Sequence, residues 1–284
     1  MITCTMKSAV ILCNGEFPGK EYPRYLLRTA DIIICCDSAR NVERLRRLGL
    51  EPAFLVGDMD STPRKVQESL AGRIVKVEEQ DDNDLAKAFA MLRERYPEIV
   101  DIHILGAGGR NEAHTVGNLG WLLEWERRSL EKTGSGLAAR GINLDMVSDW
   151  STAFAVSPAA RRGSYPACLA PSAASDGEAA ASDRGGVPPS GSPHHPFGTV
   201  PPLSDRGCHV PQEEPLPVEL FVGEGRRISF FATDPTLRIK SQGLQWPLDG
   251  VDLSRWWAAT LNRAASDTVT LRFNHAAPLL VILD

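Results

Sequence analysis

The sequence predicts an α/β fold: an N-terminal, mostly parallel open sheet with flanking helices, followed by a small C-terminal all-β sandwich. Three observations carry this prediction. Short apolar runs without alternation are separated by helix-like stretches in the first half, which is typical of a sheet covered on both faces. A segment rich in proline follows, and short strand-like runs separated by turn residues come after it. We therefore predict an α/β domain at 1–156, an insertion at 157–215 and a β-sandwich domain at 216–284.

The elements of the first domain follow from its apolar runs. Seven runs read as strands, at 9–13, 32–36, 53–56, 73–77, 102–105, 142–147 and 152–156. Helices are predicted at 39–48, 84–95 and 115–128. The second of these has Leu85, Ala88, Phe89 and Leu92 at the i, i+3, i+4, i+7 spacing of one helix face.

The segment 157–215 holds more than half of the chain's 20 prolines and lacks a periodic apolar pattern. Such a composition buries too little apolar surface to offset chain entropy, so we predict a disordered linker or surface insertion. Beyond it, strands are predicted at 218–222, 227–231, 237–241, 268–273 and 279–283. A sandwich of that size often covers its edges with a partner, so a homodimer is expected.

The composition is that of a globular protein. The 284 residues are 43% hydrophobic and 24% charged, with a net charge of −5 and no basic patch for nucleic acid. No apolar run reaches the roughly 20 residues of a membrane helix, and the N-terminal run reads as a first strand rather than a signal peptide. The six cysteines form no CxxC pair, which favours small buried side chains in a reducing cytoplasm.

Acidic residues follow two neighbouring predicted strands. Asp58 and Asp60 lie in the stretch Gly-Asp-Met-Asp-Ser directly after an apolar run, at the strand end where α/β sheets bind ligands. Asp81 and Asp84 begin the next helix. Paired carboxylates without His or Cys suit Mg²⁺ held against phosphates. The alternatives are an Asp-rich turn at 58–63 and helix capping by Asp81 and Asp84.

Two further strand ends carry polar residues. The stretch Cys-Asp-Ser-Ala at 36–39 places Asp37 at the end of a strand, with capping of the next helix as its alternative role. The stretch 106–114 reads Gly-Ala-Gly-Gly-Arg-Asn-Glu-Ala-His. Glycines allow close backbone approach, helix-start amides suit phosphate oxygens, and Arg110 can contact phosphate in a forked geometry. His114 can equally be a helix-start hydrogen bonder.

In the predicted β domain, Trp246 follows a glycine turn. It can be a core residue or a flat platform for an aromatic or cationic ligand.

In this order, the motifs resemble those of the thiamine pyrophosphokinase family. They run from Asn14-Gly15 through the acidic pairs and the Gly-rich stretch with His114 and Asn118 to Gly-Leu-Gln-Trp-Pro-Leu at 243–248. The resemblance implies an α/β catalytic domain and a β-sandwich, working as a homodimer with sites between subunits. It implies Mg²⁺-dependent transfer of a pyrophosphoryl group from ATP to the hydroxyl of thiamine, giving thiamine diphosphate and AMP.

The resemblance also implies roles for individual residues. Catalytic roles fall to Asp58, Asp60 and Asp84, and metal binding to the same three with Asp81. Nucleotide contacts fall to Asp37, Ser38, Asp81, Gly108, Gly109, Arg110, His114 and Asn118. Thiamine contacts fall to Ser241, Trp246 and Asn262.

The chain departs from the family pattern at three places. Ala113 stands where the family usually has Asp, Asn111 where a basic residue is common, and Leu261 where the family has Ser before Asn262. Two other functions therefore stay open: a diphosphokinase of the same fold acting on another alcohol, such as a pterin alcohol, and a nucleotide-binding sensor without catalysis.

Overall fold

A computed structural model describes residues 8–60, 62–77, 82–158 and 217–284. Its helices are α1 (Glu21–Thr29), α2 (Ala39–Arg47), α3 (Arg64–Ser69), α4 (Asp84–Arg95) and α5 (Glu112–Thr133), with a short 3₁₀ turn at Ala138–Arg140. The strands of the first half are β1 (Ser8–Leu12), β2 (Ile32–Cys36), β3 (Phe54–Gly57), β4 (Ile74–Lys76), β5 (Asp101–Leu105), β6 (Asn143–Val147) and β7 (Thr152–Val156). Those of the second half are β8 (Val218–Phe221), β9 (Arg227–Phe231), β10 (Ile239–Gln242), β11 (Asn262–Arg263), β12 (Thr268–Phe273) and β13 (Leu279–Leu283).

Among the described residues, ten strands form one sheet in the order β11-β9-β13-β7-β6-β5-β1-β2-β3-β4. The pairs from β4 to β6 are parallel, and those from β6 to β11 are antiparallel. The chain winds from β1 to β4 on one side and then places β5 on the other side of β1. This reversal at the β1–β5 pair is the place where open α/β sheets form a ligand crevice.

Both faces of the parallel part are covered. One core packs α4 and α5 against the sheet and includes the fully buried Phe89 and Ile104. The other packs α1 and α2 against the opposite face, around Leu27, Val42 and Leu45. Burial on both faces explains why β2 is apolar at every position, and β1 at every position after Ser8, rather than at alternate ones.

The second half forms a sandwich with the end of the large sheet. Strands β10, β12 and β8 make a three-stranded antiparallel sheet. A third core, including Phe230, Leu271 and Val281, lies between this sheet and strands β9, β13 and β7. One layer of the sandwich is thus an extension of the N-terminal sheet, and the described residues form one compact unit.

The predicted fold class is confirmed, and the predicted elements recur with small shifts in their bounds. Strands β2, β7, β9, β12 and β13 and helix α4 match the predicted ranges. Helices α1 and α3 and strand β11 were not predicted. Helix α1 carries a proline, Pro23, in its first turn, where the missing N–H costs nothing. The domain boundaries stay a prediction, and the predicted insertion lies outside the described residues except for Ser157 and Pro158.

Helix caps correct two of the alternative roles. Ser38 caps α2, since its hydroxyl accepts from Asn41 N, so Asp37 is not the cap. Asn83 caps α4 by accepting from Ala86 N at 2.9 Å, so the cap is not Asp81. Asp84 lies in the first turn of α4, where the helix dipole favours a negative charge.

Two buried titratable groups sit within this framework. His103 of β5 lies between Asp145, with Nδ1 2.7 Å from its Oδ1, and Asp101, with Nε2 3.5 Å from its Oδ1. Burial alone would lower the pKa of His103, but the two carboxylates outweigh it and raise that pKa to about 10. Glu126 of α5 is fully buried and accepts hydrogen bonds from Ser157 Oγ and Leu137 N, and burial raises its pKa.

Cys13, Cys35 and Cys36 are buried free thiols, as predicted, and Cys4, Cys168 and Cys208 lie outside the described residues. None of the helices in the described parts of the chain is long and apolar enough to cross a membrane.

Candidate active site

The loops after β1 and β5 are pressed together at the sheet reversal. Gly15 N donates to Gly106 O at 2.6 Å, and Glu16 N donates to Gly108 O at 2.7 Å. A Cβ on Gly15 would lie 2.3 Å from Gly106 O and 2.4 Å from Gly108 O. Only glycine fits there, so this contact fixes the Gly-rich loop at the carboxyl end of the sheet.

A chain of hydrogen bonds joins three strand ends across this contact. Ser38, after β2, donates from its hydroxyl to Asn14 Oδ1 at 2.9 Å. Arg110, after β5, donates from Nη1 to the same Oδ1 at 3.2 Å and to Asn14 O at 3.1 Å. Asn14 therefore orients the exposed Arg110 relative to α2. In the sequence Asn14 stands out only as part of the family motif, and no local pattern indicates that it connects these loops.

Three of the predicted carboxylates come together at the ends of β2 and β3 and the start of α4. A Cβ on Gly57 would lie 2.6 Å from Asp37 Cβ and 3.4 Å from Asp84 Oδ1, so Gly57 leaves the space into which these two side chains pack. Asp37 is buried and accepts a hydrogen bond from Thr62 Oγ1. Asp58 follows Gly57 directly and is half-buried.

The pKa of Asp84 reports how these groups act on one another. Burial raises it, Asp37 and Asp58 raise it further, and Lys87 and His114 oppose the rise. Negative charge is therefore incompletely compensated at this point, and a cation there would lower the electrostatic energy.

The turn after β3 presents Asp58 and Asp60 differently. Asp58 Oδ1 accepts from Asp60 N at 3.1 Å, which holds Met59 between them at a φ of 68°. Asp60 is exposed. Positive φ at a non-glycine residue is strained, and such strain is common at functional turns.

Asp81 lies outside the described residues. Among the residues that are described, no three His, Cys, Asp or Glu side chains are grouped closely enough to hold a metal ion by themselves. The donor set still suits magnesium, because that ion commonly uses one or two carboxylates and takes its other ligands from water and substrate phosphates.

The Gly-rich loop leads into α5. Asn111 caps α5 by accepting from His114 N at 3.1 Å, and the His114 side chain is exposed on the side of Asp84. Gly109 has a φ of 84°, and a Cβ there would meet Glu16 Oε2 at 2.5 Å. A Cβ on Gly108 would lie 3.1 Å from Thr115. The backbone of this loop is thus packed closely against its neighbours.

Asn118 has a positional role. Its Nδ2 donates to Ala107 O at 2.8 Å, and its Oδ1 accepts from Asn83 Nδ2 at 3.1 Å. It therefore ties the Gly-rich loop to the start of α4, next to Asp84.

Beside the loop lies a cavity of about 250 Å³. The β6–β7 turn forms one wall, where Trp150 is 69% exposed and Lys20 Nζ lies 3.6 Å from its ring centroid. Asp149 holds this turn to the β1–α1 loop by accepting from Gly19 N and Lys20 N, both at 2.9 Å. Asp149 and Trp150 are not among the residues predicted from the sequence. The only feature of the sequence that could have pointed to them is a polar residue next to an aromatic residue in a short turn between two strands.

The three predicted thiamine residues form a second group in the C-terminal part. Asn262 Nδ2 donates to Trp246 O at 2.7 Å, and Asn262 Oδ1 accepts from Trp246 N at 3.2 Å. This clamp leaves the Trp246 ring 54% exposed, so the core alternative is wrong. Ser241 Oγ accepts from Leu248 N at 2.8 Å and closes the same turn. Leu261 is 58% exposed at a φ of 54°.

Comparison with known protein families shows which family the chain belongs to. The description "Thiamin pyrophosphokinase, catalytic domain" matches residues 23–133. The description "Thiamin pyrophosphokinase, substrate-binding domain" matches residues 207–279. Together the two matches span more than half of the sequence. The chain belongs to the thiamin pyrophosphokinase family.

Solved structures of similar fold agree with this membership. Thiamine pyrophosphokinase from Bacillus subtilis has a TM-score of 0.60 at 16% identity, with 98% of this chain and 99% of that chain covered. Yeast thiamin pyrophosphokinase has a TM-score of 0.61 at 12% identity, covering 99% of this chain and 87% of the other. A family protein from Enterococcus faecalis has a TM-score of 0.60 at 14% identity, covering 98% and 99%. A comparison with curated proteins gave no match.

Both the catalytic and the substrate-binding domain of the thiamin pyrophosphokinase family match this chain. The two matches support thiamine diphosphokinase activity, which is a transferase activity. Enzymes of this family use ATP and a divalent metal.

Proposed function

We propose that this chain carries out Mg²⁺-dependent transfer of the pyrophosphoryl group of ATP to the hydroxyl of thiamine, giving thiamine diphosphate and AMP. The observation that carries the proposal is the convergence of Asp37, Asp58 and Asp84 beside the Gly-rich loop with Arg110 and His114. Phosphoryl-type transfer depends mainly on positioning and on stabilising charge, and this rim of the sheet offers groups for both.

The assignment of roles keeps the roles that the family resemblance implies for each residue. Metal binding and catalysis are assigned to Asp58, Asp60 and Asp84, with Asp81 as a further metal ligand. Nucleotide contacts are assigned to Asp37, Ser38, Asp81, Gly108, Gly109, Arg110, His114 and Asn118, of which Ser38 and Asn118 act by holding the loops. Thiamine contacts are assigned to Trp246, Ser241 and Asn262, of which Asn262 and Ser241 act by holding the Trp246 turn.

Magnesium, when bound by these carboxylates, supplies positive charge that offsets the charge of the phosphates. Arg110 adds a fixed guanidinium beside the Gly-rich loop, oriented by Asn14. The exposed Asp60 is free to face the substrate hydroxyl. The backbone amides at the start of α5 are assigned to the nucleotide phosphates, because a helix N-terminus suits phosphate oxygens.

Trp246 is assigned to the thiamine ring. The thiazolium is permanently cationic, and a cation over an indole face gains roughly 0.5–2 kcal/mol. The clamp by Asn262 fixes the backbone of Trp246, so the ring is presented without losing much conformational freedom on binding. A homodimer in the cytoplasm, with the Trp246 turn of one subunit facing the carboxylates of the other, completes the proposal.

The test measures AMP release from ATP and Mg²⁺ with thiamine or a pterin alcohol as the acceptor. Turnover with thiamine alone is expected. Turnover with the pterin alcohol alone indicates the other acceptor, and ATP binding without AMP release indicates a sensor.

The residue assignment has its own test. Asp60→Asn should lower AMP formation roughly 100-fold with the fold intact, because one of the assigned metal-binding carboxylates is lost. The matched control is Asp82→Asn, an exposed carboxylate just before α4 that has no assigned role. Turnover by Asp60→Asn equal to that of the control removes Asp60 from the site.

A further inference from the structure

Two buried cysteines face each other at the carboxyl ends of neighbouring strands. In the parallel pair of β1 and β2, Leu12 lies opposite Cys35, so the next residues along each strand, Cys13 and Cys36, also lie opposite each other. Both of these side chains belong to the core of α4 and α5, whereas Cys35 belongs to the core of α1 and α2. Cys36 Sγ donates to Cys13 Sγ at 3.8 Å. The two sulfur atoms are therefore neighbours on one face of the sheet.

The spacing of the two strands suits a covalent bond between these sulfur atoms. Neighbouring strands lie about 4.7–4.9 Å apart, and disulfides form between residues whose Cα atoms are about 4.4–6.8 Å apart. An S–S bond is about 2.05 Å long, so the two sulfurs need to approach by less than about 2 Å. Cys35, on the opposite face, donates to Ser38 O at 3.9 Å and does not face Cys13.

Each of the paired cysteines directly precedes a residue of the candidate active site. Asn14, which follows Cys13, accepts from Arg110 Nη1 at 3.2 Å. Asp37, which follows Cys36, lies in the carboxylate cluster at the ends of β2 and β3. A bond between the sulfurs draws both strand ends together and shifts these two neighbours. A displacement of about 1 Å at a positioning group lowers a rate by on the order of 100-fold.

We propose that Cys13 and Cys36 are a modification site, at which a small peroxide forms an intrachain disulfide that lowers the activity of the adjacent site. Only the effect on turnover rests on the proposed function. Cys13 is 6% exposed and Cys36 is 1% exposed, so Cys13 meets the oxidant first. Because thiols this buried react slowly, the site favours an oxidant as small as hydrogen peroxide over a larger disulfide.

The oxidation takes two steps. The Cys13 sulfur attacks one oxygen of hydrogen peroxide, the O–O bond breaks, and the other oxygen leaves as water with the thiol proton, which gives a sulfenic acid. The Cys36 sulfur then attacks the Cys13 sulfur, the S–O bond breaks, and the hydroxyl leaves as a second water with the Cys36 proton. Two thiols are oxidised and one peroxide is reduced. A dithiol such as dithiothreitol reverses the bond by thiol–disulfide exchange.

The experiment treats the full chain with millimolar hydrogen peroxide, alkylates the remaining thiols in denaturant, and maps tryptic peptides by mass spectrometry without reduction. Trypsin gives one peptide with Cys13, at 8–20, and one with Cys35 and Cys36, at 29–40, and the other three cysteines fall in other peptides. The wild type and the control Cys35→Ala should both give these two peptides joined, with two hydrogens lost. Cys36→Ala should not give the joined peptides.

AMP formation from ATP and thiamine is measured on the same samples. It should fall at least about fivefold in the oxidised wild type and the oxidised control, in step with the joined peptides, and should return with dithiothreitol. Cys36→Ala should keep its own untreated rate within about twofold after the same treatment.

Alkylation of both Cys13 and Cys36 after peroxide treatment overturns the site, and so does conversion of Cys13 to a sulfinic acid without joined peptides. Joined peptides with unchanged AMP formation overturn the effect on activity. Fragment masses locate the bond in the wild type itself, so the test stands if a variant does not fold. If the chain forms no AMP, the proposed function fails, while the bond is still measured. The affinity for a non-hydrolysable ATP analogue then replaces the rate and should fall by the same factor.

Discussion

The contact between the β1 and β5 loops should be the most sensitive backbone feature of the site, and Gly15→Ala tests it. The added Cβ would lie 2.3 and 2.4 Å from two carbonyl oxygens, which are backbone atoms and cannot rotate away. The loops must separate, and the hydrogen bonds from Gly15 N and Glu16 N lengthen or break. Two such bonds are worth about 0.5–1.5 kcal/mol each, and overpacking costs about 1–3 kcal/mol more.

Alanine offsets part of this loss by restricting the unfolded chain, by about 0.4–1 kcal/mol. We therefore expect the free energy of unfolding in urea to fall by about 2–4 kcal/mol, and KM for ATP to rise because Arg110 and the Gly-rich loop move together. Gly120→Ala is the control. It lies in α5 with no heavy atom within 4 Å of the added Cβ, and should gain about 0.5–1 kcal/mol. An unfolding free energy of Gly15→Ala within 0.5 kcal/mol of wild type would refute the reasoning.

Three further outcomes follow from the structure. His103→Gln should lower the free energy of unfolding by about 3–5 kcal/mol at pH 6, because it leaves two carboxylates without their partner. The pKa of His103 is raised to about 10, so the stabilisation by the charged imidazole is complete below about pH 6.5. The difference from wild type in urea unfolding should therefore shrink as pH rises through 10. Burial raises the pKa of Glu126, so ionising this carboxyl in the folded protein costs free energy. The free energy of unfolding of the wild type, relative to that of Glu126→Gln, should fall as pH rises above the usual glutamate pKa of about 4.3. A difference between the two proteins that does not change with pH would contradict this. Trp246→Ala should raise KM for thiamine about 2- to 30-fold with little change in KM for ATP. The control Trp257→Ala, at another exposed tryptophan, should change neither KM. An effect of Trp246→Ala on KM for ATP alone would contradict the placement of Trp246 against thiamine.

Periodicity predicted most of the fold because burial dictates it. Strand β2 is apolar at every position and β7 at every position after Thr152, since both of their faces are covered, and α4 has an apolar face at helical spacing. Helix α1 was not predicted, and it carries Pro23 in its first turn, where proline is tolerated. Strand β11 is only two residues long and exists through its pairing with β9, which no local pattern reveals. The pairing of β13 with β7 could likewise not be predicted, because the sequence of a strand does not indicate which strand it will pair with.

The site was predictable where chemistry is concentrated in short motifs. Asp37, Asp58 and Asp84 follow strand ends or begin a helix, and the topology of the sheet brings them together. The connections among them were not predictable. Asn14 between Ser38 and Arg110, and Asn118 between two loops, act through hydrogen bonds that depend on distant parts of the chain.

The place of β13 in the large sheet has a consequence for synthesis on the ribosome. Leu280 packs into the core of α4 and α5, while its neighbours Leu279 and Val281 pack into the sandwich core, so one short strand closes two cores at once. Until β13 has emerged, β7 presents an unpaired edge and β9 has no route to the sheet. A nascent chain should therefore stay sensitive to proteases and prone to aggregation until this strand is released, then close late and cooperatively.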